Sequence, residues 1–366
     1  MTKIKDLTGY LETIAPLSYQ ENYDNSGLLT GNKEDTIKGV LITLDCIEEV
    51  VQEAIDKNCN LIITHHPIIF KGLKKITGNN YIEKTIIKAI NNQIAIYAIH
   101  TNLDNMINGV NFKFAQLLGL TNISILSAKL NTLYKLVCFV PKDHEEKLLK
   151  ALYNAGAGTI GNYSECSFTT DGTGSFTPNK MANPTIGTSG TAEKVKEQRI
   201  EILVPQHLIN TIINTLKHSH PYEEVAYYLS ELKNENQEIG AGIIGELKNK
   251  MSSTEFLRYL KDKMNLEVIK HTYGYSGEIH KIALCGGSGS FLLSSAINSQ
   301  ADVYISSDFK YHEFFDAENK LMICDIGHYE SEVATKDLLF DILSKKFSSF
   351  ALNLSKIVTN PIRYFK

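Results

Sequence analysis

Short apolar runs alternate with amphipathic helix patterns at both ends of this chain. Near the start, the order strand, helix, strand is predicted at residues 40–44, 47–56 and 61–64. Near the end, the same order recurs at residues 282–285, 291–298 and 303–306. Strands that are apolar on both faces are typical of a parallel sheet covered by helices. The sequence therefore predicts an α/β core made of two similar halves.

A different pattern separates the two halves. It contains predicted strands and helices at residues 134–141, 145–155, 199–205, 208–217 and 220–228, with a polar, glycine-bearing stretch at residues 169–192. Because chemically informative residues lie on both sides of this segment, we interpret it as an insertion. The predicted domains are residues 1–125 for the first half of the core, 126–239 for the insertion and 240–366 for the second half.

His65 and His66 directly follow the strand predicted at residues 61–64 and precede Pro67. Proline favours an extended backbone before it, so the pair projects from the strand's carboxyl end, where open α/β sheets bind ligands. Successive strand residues point to opposite faces, and the pair therefore suits two neighbouring metal ions better than one. Two histidines that merely end a strand are the alternative.

Further metal-binding residue types follow two other predicted strands. His100 ends the strand predicted at residues 93–100 and Asp104 lies in the loop after it, while His328 follows the strand at residues 321–326. Glu332 stands four residues beyond His328, which places both side chains on one face of a helix. Imidazole and carboxylate ligands without thiolate favour zinc, manganese, iron or cobalt.

The motifs at residues 24–28, 64–67, 100–104, 307–312 and 327–332 resemble those of the Nif3-like proteins, also called GTP cyclohydrolase 1 type 2 homologues. The resemblance implies a dinuclear metal site with Glu332 as the bridging carboxylate. Its implied ligands are His65, His66, Asp104, His328 and Glu332. One departure is Ser306-Ser307-Asp308, where the family commonly has Thr-Gly-Asp.

The middle segment resembles the PII-like or CutA-like insertion of longer Nif3 relatives, which is a ferredoxin-like α+β domain. Such domains associate, so the resemblance implies a role in oligomer contacts or in covering the metal cavity. It also implies a homo-oligomer, and specifically a homohexamer.

Three residues near the predicted ligands have two interpretations each. His100 and His312 can orient a ligand or move a proton, or they can be packed structural residues. Asp308 can hold a histidine tautomer or act as a helix N-cap, and the cap is slightly favoured. The turn at residues 286–290 lacks the lysine of a P-loop, so a tight strand-to-helix turn is favoured over a phosphate cradle.

Two divalent ions, with zinc the first expectation, and two carboxylates leave a net positive site that suits a small anionic or nucleotide substrate. Paired ions support hydrolysis. The leading hypothesis is a metal-dependent hydrolase of a nucleotide or related phosphate compound, narrowed by the resemblance to opening of the GTP imidazole ring. The alternatives are a phosphoesterase and a non-catalytic metal-binding protein, metal chaperone or interaction protein.

Composition adds broad limits. The net charge of −4 gives no electrostatic argument for nucleic acid binding. Six scattered cysteines have no C-x-x-C pair and predict reduced thiols, mostly in the core. The start of the chain predicts an amphipathic helix instead of a signal peptide, and no apolar run is long enough to span a membrane. We therefore expect a cytoplasmic protein.

Overall fold

The computed structural model of the chain describes residues 1–273, 275 and 277–365. Its strands, β1 to β15 in chain order, are Gly27–Thr30, Gly39–Thr43, Leu61–Thr64, Ala95–Ala98, Thr121–Lys129, Leu133–Pro141, Ser167–Phe176, Glu193–Pro205, Tyr227–Glu231, Asn236–Met251, Lys270–His271, Ile279–Ser288, Val303–Ser307, Met322–Asp325 and Ala351–Leu354.

Its α-helices, α1 to α11, are Ile4–Ile14, Glu48–Asp56, Tyr81–Asn91, Thr101–Asp104, Val110–Leu117, Glu145–Asn154, Ile209–Ser219, Ser253–Lys263, Leu293–Asn298, His328–Glu332 and Thr335–Lys346. Short 3₁₀ helices span Leu17–Tyr19, Lys142–His144, Gln206–Leu208, Ser290–Leu292 and Tyr311–Ala317. The prediction of an α/β fold is confirmed.

The chain forms two compact units, residues 1–128 with 237–366, and residues 129–236. The first unit contains two sheets. One has the strand order β1-β4-β3-β2-β15, in which all neighbours are parallel except β1 and β4. The other has the order β11-β14-β13-β12-β10-β5, with β12, β13 and β14 parallel.

Helices cover both faces of the first sheet because its central strands are apolar on both faces. Leu41 and Ile62 pack with Ile86 of α3 on one face. Ile42 and Ile63 pack with residues of α1 and α11 on the opposite face. This burial on both sides is the arrangement expected of parallel strands.

The parallel strands of the two sheets deliver polar segments at their carboxyl ends. β3 leads into His65 and His66, and β4 leads into α4. In the second sheet, β13 ends just before Asp308 and β14 ends shortly before α10. All of these segments belong to the first unit.

The second unit follows the order β6-α6-β7-β8-α7-β9, which is the element order of the ferredoxin-like motif. Its sheet has the strand order β7-β8-β6-β9 with antiparallel neighbours. Leu148 of α6 and Ile212 of α7 pack against Leu136 and Ile200 in one core. The two helices thus cover one face of this sheet.

All six cysteines are free, and five of them are buried. In the part of the chain that the structure describes, no helix is both long enough and apolar enough to cross a membrane.

Two isoleucines on α3 test the packing of the first sheet. Ile86 is 1% exposed in the core, whereas Ile90, one turn later, is 51% exposed. Ile86→Ala should lower the free energy of unfolding by about 2–5 kcal/mol, because it leaves a cavity. Ile90→Ala should change it by about 0.5 kcal/mol or less. Denaturant unfolding of both variants gives the comparison, and equal losses would contradict the described packing.

Candidate metal centre

His65 is held rigidly at the end of β3. Its backbone N–H donates to the carbonyl of Thr43, and its side chain is fully buried. The Nδ1 atom lies 2.8 Å from the carbonyl oxygen of Ile99. Because a carbonyl only accepts, Nδ1 carries the proton and Nε2 keeps its lone pair. Among the described residues, that lone pair has no hydrogen-bond partner.

His66, the next residue, is held in place by the carboxylate of Asp45. Its Nδ1 donates to Oδ1 of Asp45 at 2.7 Å, and its Nε2 lies 3.0 Å from Oε2 of Glu332. Metal-binding histidines commonly donate from one ring nitrogen to a carboxylate and bind the ion through the other nitrogen.

The short helix α10 supplies two further side chains from one face. His328 and Glu332 are one turn apart, and Nε2 of His328 lies 3.1 Å from Oε2 of Glu332. The Nδ1 atom of His328 donates to Oδ2 of Asp308 at 2.6 Å. Gly327, with φ +94°, allows the sharp entry into this helix.

The segment after β4 contributes Asp104 and His100. Oδ1 of Asp104 lies 3.5 Å from Nε2 of His65 and has no hydrogen-bond partner in the part of the chain that the structure describes. His100 donates from Nδ1 to Asp24 at 2.7 Å, which leaves Nε2 for the cluster. Asp24 also accepts from the backbone N–H and the hydroxyl of Thr101, so the orientation of the His100 ring is fixed.

These atoms form two ligand groups that share Glu332. One group contains His65, Asp104 and Glu332, and the other contains His66, His328 and Glu332. In the second group the two Nε2 atoms are 3.4 Å apart and lie 3.0 and 3.1 Å from Oε2 of Glu332. Ligands about 2.0–2.1 Å from a tetrahedral zinc ion are about 3.3 Å from one another.

His100 forms a third group with His65 and His66. His100 therefore lies among the candidate ligand atoms. The sequence predicts only that it orients a ligand, moves a proton or packs as a structural residue.

The unpartnered atoms support a fit to divalent cations. When Asp104 is ionised, its Oδ1 and Nε2 of His65 are buried acceptors that face each other, and no donor among the described residues lies between them. Buried acceptors without partners are costly and rare in proteins. A cation with affinity for imidazole and carboxylate would satisfy both.

Two glycines near the end of β12 make room for Glu332. A Cβ atom on Gly287 would lie 2.3 Å from Oε1 of Glu332, and one on Gly286 would lie 3.2 Å from its Cγ. Gly287 also donates its N–H to the Ser331 hydroxyl. The sequence favours a tight turn at these glycines but does not reveal that they pack against the Glu332 carboxylate. Only the tertiary structure brings the two segments together.

Hydrogen bonding changes the acidity of the central groups. Burial alone would lower the pKa of His66, but its bonds to Asp45 and Glu332 raise it to about 10. The pKa of His328 rises to about 11 because bonds to Asp308 and Glu332 outweigh burial. Burial disfavours ionisation of Glu332, yet the histidines hold its pKa well below the usual range. Burial raises the pKa of Asp104 to about 7.

The structure separates the roles of the residues around Asp308. Asp308 has φ +60° and pairs with His328, while Lys310 occupies the N-cap position of the following 3₁₀ helix. His312 is exposed and its ring contacts Tyr311, outside the gathered ligand atoms. Ser307, which stands where the resembled family commonly has glycine, is buried and donates to the carbonyl of Gly287 at 2.6 Å.

Comparison with known proteins gives matches over the whole chain. Residues 2–361 match the Duf34/NIF3 (NGG1p interacting factor 3) family. A Bacillus subtilis (strain 168) protein named GTP cyclohydrolase 1 type 2 homolog is 38% identical over 359 residues, 96% of each chain. A Staphylococcus epidermidis protein of the same name is 37% identical over 366 residues, 99% of this chain and 100% of the relative.

Solved structures agree with the sequence matches. The crystal structure of a Bacillus cereus protein related to NIF3 has a TM-score of 0.87 at 36% identity and covers 100% of this chain and 99% of its own. A Staphylococcus aureus protein has a TM-score of 0.79 at 32% identity, with 100% of this chain and 99% of that chain covered.

Zinc binding at pH 7 should release protons, because His66 and His328 hold theirs in the metal-free protein and an ion needs their lone pairs. Protons compete better as the pH falls, so the apparent affinity should drop by about 10–100-fold per pH unit for one or two protons released. Calorimetric titration in buffers of different ionisation enthalpy counts the protons. Binding without proton release at pH 7 would contradict the hydrogen-bonded arrangement.

Proposed function

Because the chain belongs to the Duf34/NIF3 family, we propose that its candidate metal centre holds two divalent ions and hydrolyses a nucleotide or related phosphate compound. The proposed ligands are His65, His66, Asp104, His328 and Glu332. Zinc is the first candidate, and manganese, iron and cobalt suit the same ligands.

The sharing of Glu332 between two ligand groups is the observation that carries the proposal. One carboxylate oxygen lies 3.9 Å from Nε2 of His65, and the other lies within 3.1 Å of His66 and His328. A buried carboxylate with histidines near both oxygens supports a bridging role between two ions. Among the described residues, the acceptors on His65 and Asp104 have no proton donor. This supports binding of an ion in the ligand group formed by His65, Asp104 and Glu332.

Bound paired ions would supply an activated water and polarise the group that it attacks. The chain's own residues orient the ligands: Asp45 fixes the ring of His66, and Asp308 fixes the ring of His328. His100, held by Asp24, presents Nε2 to the same cluster. It is placed to act as a further ligand or to carry a proton to or from a bound substrate.

An exposed aromatic pair beside the centre supports a substrate with a planar ring. Phe70, 41% exposed, has its ring centroid 6.2 Å from that of His100. Tyr23, 64% exposed, lies 6.1 Å from Phe70. Nucleobases stack on such side chains. This agrees with the GTP cyclohydrolase 1 type 2 homolog name of the relatives, and we propose a purine nucleotide as the first substrate to test.

We further propose that the second unit is a PII-like or CutA-like insertion and that the protein is a homohexamer. The β-α-β-β-α-β order of the second unit supports the first proposal. Light scattering coupled to size exclusion tests the second, and a monomeric mass would contradict it.

Glu332→Gln should lower the metal content, because an amide cannot bridge two cations as a carboxylate does. Mass spectrometry of protein purified without added metal gives the ions per chain, for which we expect about two in the parent protein. Glu330→Gln, on the same helix, is the matched control, since that carboxylate accepts from Asn360 instead. Undiminished metal content in Glu332→Gln would contradict the ligand assignment.

The same preparations should be incubated with GTP and with a phosphodiester while products are separated by chromatography. Ring-opened GTP supports the cyclohydrolase activity, and diester cleavage supports a phosphoesterase. Full metal occupancy without turnover of either compound would contradict the hydrolase proposal and favour a metal-binding protein.

Phe70→Ala should raise KM for GTP about tenfold, since stacking of a base on an aromatic ring is worth about 1–3 kcal/mol. KM for a phosphodiester that lacks a ring should stay unchanged. Phe291→Ala, at another exposed phenylalanine, serves as the control. Equal effects of Phe70→Ala on both substrates would show that the ring does not contact a base.

A further inference from the structure

The second unit contains a cavity of about 660 Å³. One wall is formed by β7 and β8, and the others come from residues 177–186 and 222–226. Its volume is in the range of small-molecule sites.

Two glycines on β7 keep this space open. Gly172 and Gly174 pair with Glu197 and Val195 of β8 and line the cavity without side chains. A Cβ atom on Gly174 would lie 2.1 Å from Oε2 of Glu197. The absence of a side chain at Gly174 therefore lets the Glu197 carboxylate lie along the cavity wall.

Hydrogen bonds hold the facing segment in place. The hydroxyl of Thr185 donates to the carbonyl of Pro221 at 2.7 Å, and the N–H of Asn183 donates to Glu223 at 2.8 Å. These contacts tie residues 177–186 to the segment before β9. The cavity is thus built by ordered contacts on its loop side as well as by the sheet.

The Glu197 carboxylate lines the cavity and lacks a positive partner. Glu197 is 9% exposed, and the Tyr222 hydroxyl donates to its Oε1 at 2.9 Å. Within residues 1–273, 275 and 277–365, no ion pair forms with Glu197. Arg199, which also lines the cavity, binds Glu201 at 2.7 Å instead. A carboxylate this buried favours a cationic partner.

Aromatic rings complete the chemical character of the cavity. Phe139, Phe176 and Tyr222 all line it, and the rings of Phe176 and Tyr222 lie 6.1 Å apart. Aromatic faces attract organic cations and apolar bodies alike. Glu223 and Glu224 also lie on the lining, so acidic side chains outnumber the single arginine there.

We propose that this cavity binds a small organic cation, with an ammonium or amidinium group at Glu197 and an aromatic or apolar body among Phe139, Phe176 and Tyr222. The contacts are those of a charge-assisted hydrogen bond at one end and of aromatic packing at the other. None of the candidate metal ligands is among the residues that line the cavity.

Calorimetry with benzamidinium, neutral benzamide and benzoate tests this proposal on the full chain. Benzamidinium should bind about tenfold more tightly than benzamide, because its hydrogen bond to the Glu197 carboxylate joins opposite charges whereas that of benzamide does not. Benzoate should not bind. Equal binding of the charged and neutral probes, or no binding of benzamidinium at millimolar concentration, would overturn the proposal.

Glu197→Gln should abolish the preference for benzamidinium over benzamide, since the amide oxygen still accepts from Tyr222 but carries no charge. Glu146→Gln, on α6, is the control, because Glu146 is exposed and does not line the cavity. Gly174→Ala is a second test, because its Cβ would displace the Glu197 carboxylate and weaken binding. An unchanged preference in Glu197→Gln, with thermal unfolding confirming a folded protein, would refute the assignment of Glu197.

Discussion

The Glu332 carboxylate is the contact around which the candidate metal centre is organised. Its two oxygens face different histidines, and those histidines come from segments more than 250 residues apart. Gly286 and Gly287 lack side chains at the positions where a Cβ would crowd it. Ser331, its neighbour, accepts from the backbone of Gly287 and fixes the turn against the helix. The Glu332 carboxylate thus contacts histidines that follow strands of two different sheets.

Much of this candidate centre could be predicted from the sequence because each candidate ligand lies within a few residues of the end of a buried strand. The apolar runs locate strand ends, and the parallel arrangement brings those ends together. The supporting carboxylates could not be found in this way. Asp24 and Asp45 bind His100 and His66 across 76 and 21 residues, and no local pattern links the partners. Residue type alone slightly favours Asp308 as a helix cap. It encodes neither the left-handed backbone of Asp308 nor its pairing with His328.

These supporting carboxylates also change the charge of the site. Asp24, Asp45 and Asp308 add to Asp104 and Glu332, so the acidic groups outnumber the four charges that two divalent ions would bring. The net positive centre expected from the sequence is therefore not retained when the surrounding residues are counted. Attraction of an anionic substrate would then depend on direct coordination at close range more than on a long-range field.

The pairing of β15 with β2 has a consequence for synthesis of the protein. Ala351 pairs with Gly39, so the edge of the first sheet is completed by a segment near the end of the chain. During synthesis, the other strands of the first sheet emerge from the ribosome before β15. They also emerge before α10, which carries His328 and Glu332. Closing so long a loop is a late step in folding. The emerging chain therefore exposes half of the candidate metal centre before the other half can join it, and we expect any metal loading to follow translation.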